Sequence, residues 1–432
     1  MTRTTMRRAA LWGTFVVALL YAALTGCNAW EGRLRDEEVR RLEAVIGPLD
    51  AATLNRPEVE DYENQTKLYR AAAEAMGLTA KETRLLRYLS SNDSDPGWSR
   101  DEAEVRALLE KNRLPLELLF EGCRRPRWNW GIAYERLHDA RLPNLAGLMK
   151  LSRLNVVAAT IDLHDGKTGA AMVKIHSGLT LAASMLDEPA LIVRLVGDSI
   201  EASHVKILRR LLSAAELEAG DLRRLESLLV RFTEQSPIRD GLIGETKSMH
   251  QVLRRMEGDT LGSLHYSVEP TSEKWSRAAR WFTEPIIRKG DRIFLNGQAA
   301  TLERAAIPRF RRPPAPTEVS GRVAAWIHSS FGVSADVEVL LLRGDLHIAR
   351  VDLARIGIAL RLRRLETGVY PERLAELTPA PITEIPADPF SGSQYEYRKE
   401  GSGFLLSSAG KDGRLLPYDE GQYQALEWRI TR

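Results

Sequence analysis

Cysteine is almost missing from this chain: Cys27 and Cys123 are the only two in 432 residues. A single pair cannot build a disulfide framework, so packing alone has to hold the fold. An excess of one charge is missing as well, since 61 basic residues face 58 acidic ones and leave +3. A nucleic-acid-binding surface gathers its basic groups into a patch, and this near balance gives no expectation of a nucleic-acid partner. The short basic run "RFRRPP" from Arg309 reads as solvated linker. Catalytic signatures are absent too: no His-Glu-x-x-His helix, Walker A loop, Gly-x-Gly-x-x-Gly turn or Gly-x-Ser-x-Gly elbow occurs. None of these absences names a reaction. With 44% apolar and 28% charged residues the chain is ordinary globular material, long enough for two or three domains of about 150 residues.

Long uncharged apolar stretches are also scarce, and the one that stands out opens the chain. Arg3, Arg7 and Arg8 precede a run from Ala9 to Gly26 without a charge. Its length lies between a long signal-peptide core and a short transmembrane helix. The leading arginines predict that the N-terminus stays cytoplasmic and the rest is exported. The run ends in Leu24-Thr25-Gly26-Cys27, which resembles the lipobox of bacterial lipoproteins. That resemblance implies a lipid on Cys27 as the mature N-terminus; the alternative is an uncleaved membrane anchor. Cys123 is then a lone thiol, read as a structural cysteine because no His or Asn partner is placed beside it by sequence.

Residues 31–60 read as a charged helical stalk broken at Gly47-Pro48 and Pro57. Residues 61–306 read as an all-α body. Leu222, Leu225, Leu229 and Phe232 recur at helical spacing. Ser213 with Glu216 has the pattern of a capping box. Similar stripes run through "PNLAGLMKLSRLNVVAATIDLHDG" and "TGAAMVKIHSGLTLAASML". Punctuation at Asp165-Gly166, Glu188-Pro189 and Gly220-Asp221 predicts antiparallel hairpins, stacked by analogy with tetratricopeptide (TPR) repeats although no fixed-period repeat is found. Pro308, Pro313, Pro314 and Pro316 predict an extended Pro/Arg-rich linker over residues 307–320. Residues 321–432 then read as a long helix plus a small α+β tail. Val351, Ala354, Ile358, Leu362 and Leu365 form its stripe, and Gly368 stops it. A short helix is expected at Glu372–Leu377, and "QYEYRK" and "GFLLSSA" flank Glu400-Gly401-Ser402 as an antiparallel hairpin. The fold class expected is mainly α: an anchor, a TPR-like helical-hairpin body and a small antiparallel sheet.

Long helix, Tyr370-Pro371, Asp388-Pro389, hairpin and a final Gly-Lys-Asp-Gly loop follow one another from Val351 to Arg432. That order resembles the C-terminal domain of major pseudopilins of type II secretion. The resemblance implies a calcium site in the last loop, with Asp412 and Asp419 as candidate ligands. "KDGRLLPYDEG" offers few side-chain oxygens for a cation that takes six to eight, so solvated turn acids are the other reading. No pseudopilin-type cleavage site precedes the apolar run, which makes the tail a borrowed module rather than a pseudopilus subunit. The wider chain is similar to a group of exported proteins of planctomycete type through Tyr62-Glu63-Asn64, "LIVRLVGDSIEASHVKIL" and Leu242-Ile243-Gly244-Glu245. This second resemblance implies architecture and no activity.

The remaining candidates are weak. His138-Asp139 and His164-Asp165 read as surface or capping pairs. Ser203/Lys206 and Ser408/Lys411 match Ser-x-x-Lys without companion motifs. Glu63, Asp240 and Glu245 could pair as carboxylates, and Trp128, Trp130, Trp275 and Trp281 could line a groove or the core. The expectation is a membrane-tethered envelope protein that binds or spaces envelope or secretion partners without catalysis. The alternatives are an exported hydrolase with its site in the helical body, or an accessory component of a secretion system.

Overall fold

The computed structural model describes residues 3–91, 98–136, 140–213, 217–233, 236–258, 273–313, 337–408 and 426–430. Among them are twelve α-helices and one three-stranded antiparallel sheet. The helices are α1 (Arg3–Ile46), α2 (Gln65–Glu74), α3 (Ala80–Ser91), α4 (Trp98–Lys111), α5 (Arg113–Cys123) and α6 (Leu145–His164). They continue with α7 (Thr168–Leu186), α8 (Leu191–Leu212), α9 (Ala219–Thr233), α10 (Pro237–Gly258), α11 (Glu273–Ala305) and α12 (Val337–Thr367).

The centre is made by helices with hardly a polar face. From Ser177 to Leu186 every residue of α7 is buried, and α6 buries most of its length. The sequence stripes are therefore one side of helices covered all round, α7 lying between α6 and α8. Asp165 caps α6, and Gly166 makes the turn to α7 at φ +72°. The α9 stripe Leu222, Leu225, Leu229 and Phe232 is buried as expected. The capping box at Ser213 is not found: Ser213 is the C-cap of α8, its hydroxyl donating back to the Arg209 carbonyl, and Glu216 lies outside the described residues. Gly220-Asp221 falls in the first turn of α9, not between helices.

The stalk is not free. Helix α1 runs unbroken from Arg3 to Ile46, and beyond Cys27 it lies along α11 and reaches α10 through Arg35. Asn28 Nδ2 donates to Glu284, Arg292 Nε to Glu31 at 2.9 Å, and Arg35 pairs with Glu257. Leu42 joins Phe294, Leu295 and Leu302 in an apolar cluster. Residues 31–46 carry charges because three helices meet there through ion pairs. Their acid-rich pattern alone could not separate that from solvation.

The described part of the expected linker, residues 307–313, is also docked. Arg309–Arg311 form a 3-10 turn. Arg312 makes a two-pronged bond to Asp345 at 2.7 and 2.9 Å, and the Phe310 ring covers Gly392, where a Cβ would lie 2.5 Å from the ring. Arginines that looked solvated have a buried carboxylate to meet.

Helix α12 packs on α8, α9 and α10 and also carries the sheet. Val351, Ala354, Ile358 and Leu362 are buried as expected, as are Leu353, Ile356 and Leu360 on its other side; Leu365 is exposed. The body of residues 61–306 and the long helix of the tail thus share one apolar cluster with Phe404, Leu406, Trp428 and Ile430 of the sheet. A helix apolar on every side has to be covered on every side, so the expected boundary does not divide the packing. Gly368 ends α12 at φ +81°. A 3-10 turn at Leu374–Leu377 stands where a short helix was expected. The hairpin forms between β1 (Glu396–Glu400) and β2 (Gly403–Ser407). A strand that the sequence reading did not contain, β3 (Glu427–Ile430), pairs with β2 and lays Trp428 against Gly357 of α12.

Trp428 is 1% exposed. Replacing it with alanine is expected to cost about 3–5 kcal/mol. Because the core is shared, thermal unfolding in detergent should show one transition for helix and sheet at a lower midpoint. Two separate transitions, with the helical one unmoved, would show body and tail to be independent.

Candidate functional site

Two positions on α8 break its apolar logic. Asp198 and Glu201, three residues apart on one face, point into the core, with Glu201 at 0% exposure. Opposite them α12 presents His347 and Arg350, again three residues apart and buried. Arg350 Nη2 reaches Asp198 Oδ1 and Glu201 Oε2 at 2.5 Å each. His347 Nδ1 stands 3.2 Å from that Asp198 oxygen and 3.3 Å from the Glu201 oxygen. The edge of the Phe232 ring packs against the imidazole.

The electrostatics follow from this crossing. Burial by itself would depress the His347 pKa, but the hydrogen bonds and charges of Asp198 and Glu201 outweigh it and push it up to about 9. Burial would raise Asp198, and Arg350 followed by His347 bring it down to about 2. Arg350 is raised by the same carboxylates despite its burial. With the imidazole protonated, two negative and two positive groups form a compensated tetrad.

Asp198, Glu201 and His347 also offer three ligand atoms within 4.8 Å of one another, close enough to surround a divalent cation. The donor set fits poorly, because Arg350 already contacts both carboxylate oxygens a metal would need. Displacing it would leave a buried guanidinium uncompensated. The arrangement can hold a proton and set the register of α12 on α8.

The first turn of α8 is fastened by the motif Leu242-Ile243-Gly244-Glu245. A Cβ on Gly244 would sit 2.0 Å from the Pro189 carbonyl oxygen, so glycine permits α10 to touch the α7–α8 turn there. Glu245 then accepts the free Leu191 N–H at 3.3 Å, and burial holds its carboxyl above the usual range. Tyr134 donates to Glu188 in the same turn, while Arg56 pairs with Glu188 and Asp187. In the tail Tyr395 donates to Asp352 at 2.9 Å, a carboxyl that burial pushes up to about 6 against that bond.

The sequence candidates do not converge. Glu63 pairs with Arg127, Asp240 with Arg194, and Glu245 caps α8. Asp165 holds Arg106 and Lys167 and, with His164, ends α6. Ser203 donates to the Ser199 carbonyl. Trp130 is fully buried and Trp128 bonds Asp187 beneath the Arg231 guanidinium; Trp275 and Trp281 lie in the first turns of α11. Cys123, half-buried, donates to the Ser177 carbonyl, and burial pushes its thiol up to about 11. Cys27 is exposed on α1. Asp412, Asp419, His138, Asp139 and Lys411 lie outside the described residues.

The tetrad itself went unread. Asp198 and Glu201 sit in the quoted string "LIVRLVGDSIEASHVKIL", and His347 and Arg350 in the apolar helix after the prolines. The available signal was four ionisable groups, each at a position whose neighbours assign it to the core. No protein-family model matches this chain, and neither a curated protein nor a solved structure matches it.

Because His347 gains affinity for its proton on folding, its stabilisation is complete below pH 6.5 and is lost as pH rises through about 9. Urea melts at pH 6.5 and 9.5 should differ by on the order of 2–3 kcal/mol more for the wild type than for His347→Gln. Equal pH slopes would contradict the protonated tetrad. Arg350→Ala, which strands two buried carboxylates, should cost about 3–5 kcal/mol in the same assay.

Proposed function

We propose that the protein is a membrane-tethered helical scaffold of the cell envelope, without catalysis of its own, whose body binds or spaces partners. One observation carries this reading. Helix α1 is continuous, yet Trp12, Phe15, Leu19, Leu20 and Tyr21 in its first half are more than half exposed, while docking to the body begins at Asn28. By length and composition it is long and apolar enough to cross a membrane. A row of large apolar side chains clear of the body needs another apolar solvent, and a bilayer supplies one.

Cys27 is the last residue before that docking starts. Whether lipidated or at the end of an uncleaved span, it joins anchor to body with no free stalk. The tetrad supports the scaffold over the hydrolase: its carboxylates are held in ion pairs, which favours a rigid join of helices over reactivity. The α6–α7–α8 hairpins favour TPR-like stacking, and the sheet on α12 favours a pseudopilin-like docking module. Envelope or secretion proteins are the partners this implies, with no nucleic acid, and calcium at Asp412 and Asp419 is its accessory ligand if that loop follows the pseudopilin pattern.

Fractionation tests the tether. The wild type should remain in the membrane pellet after carbonate washing. Leu19→Arg with Leu20→Arg, each costing roughly 3 kcal/mol at a membrane centre, should move most of it to the soluble fraction. Equal amounts of soluble wild type and variant would end the proposal. A palmitate analogue should label the wild type and not Cys27→Ser; an unlabelled wild type decides for the uncleaved span.

A further inference from the structure

A cavity of about 270 Å³ lies between α2 and the start of α6. Three charged residues line it: Arg70 and Glu74 from α2, and Arg141 from the segment ahead of α6. Its apolar lining is Ala73, Leu142, Pro143 and Leu148. Gly147 lets the two sides approach, since a Cβ there would lie 3.1 Å from the Ala73 Cβ.

The three charges do not neutralise one another. Arg70 and Glu74 stand four residues apart on α2, the spacing at which opposite charges meet on a helix. Arg70 is drawn away instead: its Nη2 donates to the Trp130 carbonyl, and its Cζ stands 5.9 Å from the centre of that indole. Trp130 is itself fixed, fully buried with Nε1 donating to the Ser184 carbonyl at 3.0 Å. The side chains of Glu74 and Arg141 make no ion pair or hydrogen bond among the described residues. A fixed cation, a free cation and a free carboxylate therefore border one space with an apolar wall.

Those charges select the occupant. A simple anion would meet the arginines and leave Glu74 unpaired beside it, and a simple cation would leave both arginines unmet. A zwitterion satisfies both signs, its carboxylate accepting from the guanidinium N–H groups and its ammonium donating to Glu74. The volume falls just below the range of about 300–1,000 Å³ usual for drug-sized ligands, which suits a smaller molecule. The apolar wall suits a hydrocarbon side chain. We propose that this cavity binds a free apolar α-amino acid, with its carboxylate on Arg70 and Arg141, its ammonium on Glu74 and its side chain against Ala73, Leu142 and Leu148. The site belongs to the helical body and is independent of the membrane tether.

Saturation-transfer NMR on the full chain in detergent micelles tests this with three probes. They are L-leucine, leucinamide, which lacks the carboxylate, and N-acetyl-leucine, which lacks the ammonium. Leucine should bind saturably with a millimolar dissociation constant or tighter, and each analogue at least about tenfold more weakly. Glu74→Gln should weaken leucine by about tenfold and leave N-acetyl-leucine no weaker. Arg141→Gln should weaken leucine similarly and leave leucinamide no weaker. Both residues are exposed, and each variant is compared after its helical melt is matched to that of the wild type. Leucine without saturable binding at tens of millimolar would overturn the proposal. N-acetyl-leucine bound as tightly as leucine would also overturn it, by making this a plain anion site. Variants that both bind leucine like the wild type would place the amino acid elsewhere and overturn it too. None of these outcomes bears on the membrane pellet, so the tether stands or falls separately.

Discussion

A buried ion-pair cluster between α8 and α12 is the constraint on which the arrangement turns. Apolar surface is non-directional, and a helix coated with leucine, isoleucine and alanine could slide or rotate against its neighbours at little cost. Asp198 and Glu201 facing His347 and Arg350 remove that freedom: moving α12 by one turn would leave four charges buried without partners. Once α12 is set against α8, its remaining faces are available to α9, α10 and the sheet. The tail keeps its place because its helix belongs to the body.

The same economy of placement recurs at the two ends of the molecule. At the N-terminal side, ion pairs among α1, α10 and α11 convert a charged segment into a docked helix, so that the exposed apolar part of α1 runs straight into its packed part. At the C-terminal side, Arg312 on Asp345 and Phe310 on Gly392 fasten the described residues 308–313 to the tail. Both segments are polar enough to look like spacers, and both find buried or half-buried partners far away in sequence. Joined this way, the described parts of both segments are fixed in orientation against the body.

Much of the local structure was legible before folding. Leu222, Leu225, Leu229 and Phe232 mark one face of α9, Gly166 and Gly368 end helices through positive φ, and Gly401 turns the hairpin between β1 and β2. These features depend on neighbours within a turn or two. The misreadings have one physical cause. Ser213 can cap either end of a helix, and its role was settled by where α8 stops. Trp428 completes a sheet only because β2 offers a free edge and Gly357 leaves room on α12.

The amino-acid order by itself determined the helical period, the turns, the hairpin and the uncharged run from Ala9 to Gly26, because each depends on backbone preference and residue spacing within one segment. The tertiary structure alone decided that Asp198 meets Arg350, that residues 31–46 and 309–312 are docked, and that body and tail share a core. Those outcomes depend on which surfaces become adjacent across long stretches of chain, from 33 residues between Arg312 and Asp345 to 149 between His347 and Asp198. A charge on a helix carries no mark saying whether water or a distant opposite charge will face it.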